Sequence, residues 1–531
     1  MDTILILDFG SQTTQLIGRR VRDLGVYTEI IPGDALLDEG VLNSEVKGII
    51  LSGSPESVYG DGVAPDKKIY NCGLPLLGIC YGLQRMTHDL GGKVEPLPER
   101  EYGRIEVRIK KQIKENNEKT QLFLKGFRDS FTAWMSHGDT LTQLAPGFKQ
   151  YGTSSTGYPA VAAHEQKPWF GLQFHPEVTH CEGGDEILGA FVFGVCGSTA
   201  SWNMEHYVEE LNQSLKARAG ENSVLLLISG GVDSTVAGAA LLKTLKAEQV
   251  HLMYMDTGLM RKDETAIVRA NLEKLGAKNL HIVMCENEFL SALKGREEPE
   301  EKRRIIGDLF ITIQEREVAR LGLPENYFLA QGTLYTDLIE SGKGVGKKAH
   351  VIKSHHNVAS PQVDAKRKAG KIIEPLDRLY KDEVRKLGRY LGVDGEIVGR
   401  HPFPGPGLAV RIIGEVTKEK CDILREADAI FIEELKRRRG TTGKSLYDEI
   451  WQAFAVLLPI RSVGVAGDVR KYGWVLALRA ITSADGMTAD VYPFETRDLL
   501  EISTRITNSV KEIGRVTYDI SSKPPATIEW E

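Results

Sequence analysis

Residues 225–235 read LLLISGGVDST. An apolar run, Val224 to Ile228, precedes Ser229, Gly230 and Gly231; Val232, Asp233, Ser234 and Thr235 follow. The alanine-rich stretch Val236 to Leu245 has helical spacing. A buried strand that turns at glycines into a helix brings an anion to unpaired backbone N–H groups at the helix start. Glycine allows the approach because a Cβ would stand between backbone and anion. Ser234 and Thr235 stand where hydroxyls cap the helix or reach phosphate oxygens. No lysine follows the glycines, so the loop is neither GxxxxGK[ST] nor GxGxxG. The plain alternative is a strand-to-helix bend that binds nothing.

Working outward, the chain has 531 residues, too many for one core, and three domains are expected. Hydrophobic residues make up 41% and charged residues 26%, an ordinary soluble composition. A net charge of -6 argues against broad nucleic-acid binding. Six cysteines without CxxC spacing fit neither a disulfide framework nor a zinc site. The start MDTILILDFG lacks the basic region of a signal peptide. No apolar stretch is long enough to predict a membrane span, so a cytoplasmic protein is expected.

The first third alternates apolar strands with helices. Strands are predicted at Thr3 to Leu7, Val46 to Leu51 and Pro75 to Ile79, and a helix at Gln15 to Leu24. This pattern predicts an α/β fold, a parallel sheet with helices on both faces and chemistry at the strand C-termini. Cys80 lies in Gly78-Ile79-Cys80-Tyr81-Gly82, a G-x-C-x-G elbow. The flanking glycines permit a sharp turn that thrusts the side chain out, and a helix start behind it favours a thiolate. Such a nucleophile needs a base. Phe174-His175-Pro176-Glu177 supplies His175, with Glu177 two residues on along a segment read as extended, on the same side, to hold the imidazole. Taken singly, a cysteine is usually core and a His-x-Glu means little; together they predict a catalytic triad.

After Gly197 the chain turns polar, with a helical segment from Met204 to Arg218. Beyond the loop at 229–235, strands are expected at Val250 to Met255, Asn279 to Val283 and Phe328 to Ala330, the last before Gln331-Gly332-Thr333. Lys353-Ser354-His355-His356-Asn357 is not read as a metal site, because adjacent residues of an extended strand face opposite ways. The run His401 to Gly407, HPFPGPG, is too rich in proline and glycine for helix or central strand. Further on come a charged helix (Glu419 to Arg438), an apolar segment (Ala453 to Ile460), a strand (Trp474 to Arg479) and a helix from Arg497 to Ile513 capped by Thr496.

These motifs are similar to known ones. Cys80, His175 and Glu177 match the triad of class I glutamine amidotransferases, over about the first 200 residues. Met135-Ser136-His137-Gly138-Asp139 also resembles that family, with His137 read as positioning substrate or bridging domains rather than as a second base. The SGGxDS loop resembles the pyrophosphate loop of enzymes that split ATP between its α and β phosphates. With HPFPGPGLAVRI and KPPATIEWE, the whole chain resembles the glutamine-hydrolysing GMP synthases. Two small departures stand out: Thr336 where proline is usual, and Ala359-Ser360 where glycines are.

The resemblance implies three domains. These are a flavodoxin-like amidotransferase domain at 1–198, a Rossmann-like ATP pyrophosphatase domain at 199–400 and a smaller α+β domain at 401–531. The last would dimerise the chain and bind XMP. It implies XMP, ATP and glutamine as substrates and Mg²⁺ with the ATP phosphates, no side chain being assigned to the metal. Cys80 would attack glutamine, N–H groups near Gly53 and Tyr81 would hold the oxyanion, and Gln84 would contact glutamine. Ser229, Gly230, Gly231, Val232, Asp233, Ser234 and Thr235 would bind ATP. Arg303, Gln452, Lys523 and Glu529 would bind XMP, with Arg303 and Lys523 toward its phosphate. Segment Pro375 to Arg385 would be a lid, with Lys381 near the reacting groups. Two rivals stay open at this point: another glutamine-dependent ATP pyrophosphatase, such as an NAD or asparagine synthetase, and a nucleotide sensor without activity.

Overall fold

The computed structural model describes residues 1–60, 62–110, 117–338, 361–466, 469–483 and 488–531. It divides into two compact units. One comprises Met1–Glu210 with Tyr335–Lys353, the other Leu211–Leu334 with Ser354–Glu531. The second therefore holds the stretch expected as a C-terminal domain and most of the one expected as the synthetase domain.

The first unit is built on a nine-stranded sheet. Its strands are β1 (Thr3–Asp8), β2 (Tyr27–Pro32), β3 (Val46–Leu51), β4 (Leu76–Ile79), β5 (Lys93–Ile109), β6 (Ser130–Gln143), β7 (Phe148–Ser154), β8 (Pro159–His164) and β9 (Trp169–Leu172). They run in the order β2-β1-β3-β4-β9-β8-β7-β5-β6. The half from β2 to β9 is parallel, as the apolar runs predicted. Every residue of β1, β4 and β9 is buried, which requires cover on both faces. The other half, β8 to β6, is antiparallel and was not read from the sequence. In β6 buried and exposed positions largely alternate, so no continuous apolar run announces the strand.

The second unit contains two sheets. A five-stranded parallel sheet runs β12-β11-β10-β13-β14. Its strands are β10 (Val224–Ile228), β11 (Val250–Asp256), β12 (Asn279–Met284), β13 (Phe328–Ala330) and β14 (Ile372–Ile373). The other sheet pairs β15 (Gln452–Ala466) and β16 (Val469–Thr482) as a long antiparallel hairpin. Strand β17 (Asp490–Val491) and strand β18 (Ile513–Tyr518) both pair with β16, β18 in parallel. One apolar cluster joins the two sheets, running from Leu225 and Met253 through Leu408 and Ile412 to Phe431, Leu457 and Leu476. The strand order and the mixed α/β architecture match the expected class.

Two local expectations need correction. The last long helix spans Thr496–Ser509, so Thr496 is its first residue and Glu495 holds the cap position without a side-chain bond. Ile513 is not helical but starts β18, because Val510 turns extended and releases the chain to pair with β16. The helix after the 229–231 turn starts at Val232, not Val236, with Gly231 extended at its cap. The histidine pair His355-His356 and the departure at Ala359-Ser360 lie outside the described residues.

Candidate active site

Cys80 links the end of β4 to the helix Tyr81–Asp89 and has φ 53° and ψ −108°. A non-glycine residue is strained there, by an order of 1–3 kcal/mol, so its surroundings must hold it. Its N–H donates to Leu172 O of β9 at 2.7 Å. Gly78 and Gly82 make room on either side. A Cβ at Gly82 would lie 2.3 Å from Leu51 O, and one at Gly78 2.6 Å from Leu83 N. Backbone cannot yield at either place, so the elbow closes only with glycine there. The thiol points to Ser136 O at 3.8 Å.

His175, Pro176 and Glu177 lie in a turn beyond β9, not in the extended segment expected. The turn still brings Glu177 Oε1 to 2.7 Å from His175 Nδ1. Glu177 is buried and its carbonyl accepts from Arg20 Nε at 3.0 Å, which fixes the turn. Burial works to lower the imidazole's proton affinity, but Glu177 and the Cys80 thiol outweigh it and hold it well above the ordinary histidine value. With Nδ1 committed to the carboxylate, Nε2 is the atom left to take a thiol proton. Gly53 sits beside this ring: a Cβ there would be 3.2 Å from His175 Cε1. Tyr81 opens the helix, where N–H groups lack helical partners. Gln84 is buried and its Nε2 donates to Asp139 O at 2.7 Å.

In the second unit the 229–235 loop is tied by its own hydroxyls. Ser229 N–H donates to Ser234 Oγ at 3.2 Å, Gly231 N–H to Ser229 Oγ at 3.3 Å, and Thr235 Oγ1 to Gly231 O at 2.9 Å. Gly230 takes φ 79°. Its carbonyl accepts from Arg400 Nη1 at 2.9 Å, and Arg400 in turn forks onto the Glu264 carboxylate. Gly332, after β13, abuts the first turn of the helix Val232–Thr244: a Cβ there would be 3.3 Å from Asp233 C and Ser234 N. Lys381 opens the helix Lys381–Tyr390 and bonds Asp233 Oδ1 at 2.6 Å. Loop, β13 end and Lys381 therefore meet at one end of the parallel sheet, where open parallel sheets place ligands.

The residues expected at XMP lie in the same unit. Glu529 accepts from Arg411 at 2.8 and 3.1 Å and from Gln452 Nε2 at 2.8 Å. Arg303, on the helix Pro299–Leu321, donates to Glu531 O. Lys523 exchanges backbone hydrogen bonds with Ala489, at 2.8 and 3.0 Å. So Arg303, Gln452 and Glu529 gather around residues 529–531, while Lys523 is fixed on a separate bridge. Further buried cations clamp this tail. Arg479 donates to Thr527 O at 2.9 Å and Ile528 O at 3.3 Å. Lys302 donates to Ala409, Ile412 and Gly414 carbonyls at 3.2, 3.0 and 3.1 Å and pairs with Glu531. Burial pulls the Lys302 amine down and pushes the Glu531 carboxyl up, so their mutual contact and the carbonyls are what make the burial tolerable.

Family models match three stretches: the class-I glutamine amidotransferase model at residues 5–195, the NAD synthase model at 203–307 and the GMP synthase C-terminal domain at 440–530. The NAD synthase match alone would favour the first rival. Full-length relatives decide otherwise. A glutamine-hydrolysing GMP synthase of Aquifex aeolicus is 49% identical over 532 residues, covering 99% of both chains. Those of Neisseria meningitidis serogroup B and Geobacillus kaustophilus are each 47% identical, covering 100% of this chain and 99% of theirs. The chain belongs to the glutamine-hydrolysing GMP synthases.

For a GMP synthase, sequence reasoning passed over Arg411, Lys302, Arg479 and Arg400. Arg411 could have been found, since it closes the HPFPGPGLAVRI run. It is wholly buried, with its guanidinium 4.1 Å from the Phe454 ring centre. Lys302 sits in an ordinary charged stretch and Arg479 is the one charge of an apolar run, both wholly buried, while Arg400 precedes the HPFPGPGLAVRI run at His401 and is partly exposed.

Proposed function

We propose that the chain joins three chemistries in the synthesis of GMP from XMP, ATP and glutamine. Cys80 attacks the side-chain amide carbon of glutamine, with His175 taking the thiol proton and returning it to the departing ammonia. N–H groups at Gly53 and Tyr81 hold the oxyanion, and Gln84 contacts the bound glutamine. Water then opens the thioester to glutamate. In the second unit ATP lies on residues 229–235, and the C2 oxygen of XMP attacks its α phosphorus, expelling pyrophosphate. Adenylylation turns a poor leaving group into a good one, and ammonia displaces AMP. Arg303, Gln452, Lys523 and Glu529 are assigned to XMP, and Lys381 to the lid.

Mg²⁺ would come with the ATP phosphates and offset their charge. Asp233 is the carboxylate of the loop, and among the described residues no group of three or more metal-type ligands gathers. The phosphates would therefore supply most of the coordination. Activity through three domains, at 1–198, 199–400 and 401–531, in a cytoplasmic homodimer belongs to the same reading. Supporting a dimer, Val463 and Tyr472 are directly paired on the β15–β16 hairpin and 50% and 63% exposed, with Val465 beside them at 78%. Val465→Asp should lower the mass measured by sedimentation to that of one chain.

The observation carrying the glutaminase half is the strained Cys80 at its strand-to-helix turn, together with a histidine that a buried glutamate holds. The test is to incubate Cys80→Ala with XMP, ATP and Mg²⁺. GMP formation with glutamine should vanish and that with ammonium should persist. Loss of both from a folded protein would overturn the division of labour.

A further inference from the structure

His137 and Glu101 are both buried, at 5% and 3% exposure, and the chemistry above uses neither. They face each other across the β5–β6 ladder, where the register slips between Pro96 and Glu101. His137 Nε2 lies 3.0 Å from Glu101 Oε2. Its Nδ1 lies 2.9 Å from Asp139 O. A carbonyl only accepts, so Nδ1 carries a proton. Burial works to raise the Glu101 carboxyl, but hydrogen bonds from His137 and Thr156 outweigh it and hold it below the usual carboxylate range. Nε2 therefore faces a carboxylate.

The carbonyl that His137 grips is the one that grips Gln84. Asp139 O accepts from His137 Nδ1 at 2.9 Å and from Gln84 Nε2 at 2.7 Å. Since a carbonyl cannot donate, this contact fixes which end of the Gln84 amide faces it and leaves Oε1 as the end that can accept elsewhere. Asp139's own carboxylate takes Ser57 Oγ–H at 2.6 Å, tying the same residue to a second loop. Three residues back along β6, Ser136 O faces the Cys80 thiol at 3.8 Å. The stretch Ser136–Asp139 is thus one wall touching both the nucleophile and Gln84.

We propose that Glu101 and His137 form a buried carboxylate–imidazole pair that positions Asp139 O, and through it Gln84, for glutamine binding at the Cys80 site. Both are positioning residues. Neither touches the reacting atoms. The inference rests on the glutaminase reading above.

The test compares Glu101→Gln, the double variant Glu101→Gln/His137→Asn, and Glu106→Gln, an exposed control on the same strand. In Glu101→Gln the KM for glutamine should rise on the order of tenfold, as expected for one lost charge-assisted interaction, with kcat changed less. Ammonium-driven GMP synthesis should be unchanged. The double variant leaves no buried charge unpaired and keeps a donor for Asp139 O, so it should fold if the single one does not and should recover part of the glutamine KM. Alkylation of Cys80 by a glutamine-analogue diazoketone should slow with the KM, while alkylation by iodoacetamide should not. An unchanged glutamine KM, or equal slowing of both reagents, would overturn the proposal. If the unmodified protein makes no GMP from glutamine, the glutaminase reading itself fails.

Discussion

Lys381 rests on the 229–235 loop: its Nζ bonds Asp233 Oδ1 at 2.6 Å across 148 residues of chain. Both partners are half-exposed, at 48% and 30%. Exposed ion pairs contribute about 0–1 kcal/mol, so this contact does not hold the fold. Under the proposed function its worth would lie in placing a cation beside the ATP phosphates. Lys381→Met should leave the unfolding midpoint nearly unchanged yet sharply reduce XMP-dependent pyrophosphate release. A fully active, equally stable Lys381→Met would remove this lysine from the synthetase site.

Gly82→Ala tests the elbow. Its new Cβ would lie 2.3 Å from Leu51 O, against backbone at the end of β3. Overpacking of this kind costs about 1–3 kcal/mol, and here relief requires Cys80 to leave its strained conformation. Thermal unfolding should shift down. Glutamine-driven synthesis should fall much further than ammonium-driven synthesis. Equal losses on the two ammonia sources would mean that the turn serves stability alone.

Asp377 lies in the segment Pro375–Arg385, and burial, followed by the nearby Glu374, raises its carboxyl from the ordinary 3.8 to about 6. A raised value means that the native state binds the proton more tightly than the unfolded chain. The stabilisation is present below the unfolded value and is lost as pH rises through the native one. Asp377→Asn should therefore be more stable than the unmodified protein at neutral pH, by about 1–3 kcal/mol. Urea unfolding should show the advantage growing between about pH 4 and pH 6 and staying flat above. A constant difference at all pH values would rule out this titration.

The tail gives a binding prediction. Lys523→Ala removes one cation from the segment assigned to XMP. One charge-assisted bond is worth roughly 1.5–3 kcal/mol, so the KM for XMP should rise about ten- to a hundredfold. Labelling of Cys80 by a glutamine analogue should be unaffected. Its backbone bonds to Ala489 survive the change, so folding should as well. Unchanged XMP dependence would move the phosphate contact to another residue.

Two local turns were fully legible in the sequence: Ser229-Gly230-Gly231 after an apolar run, and Gly78-Ile79-Cys80-Tyr81-Gly82. Both are short-range problems. A positive φ at Gly230 or a close approach at Gly82 depends on a few neighbouring residues, and glycine announces it. The buried parallel strands β1, β3, β4 and β10 were legible for a similar reason, since cover on both faces demands continuous apolar runs. The His175–Glu177 pair was read correctly for partly the wrong reason, since a turn rather than an extended segment brings the carboxylate round.

What only the tertiary structure decided is which charge meets which. Glu529 could have faced any of many cations, and it meets Arg411, 118 residues away. Glu101 and His137 become partners only because β5 lies antiparallel to β6 with a slip in register. Such pairings carry no local signature, because a buried and a solvated charge are the same letter in the sequence. Burial makes them differ: once water is excluded, an unpaired charge is costly and each carboxylate must find a donor. That demand acts through space, across strands and between sheets, so it is settled only when the chain has packed.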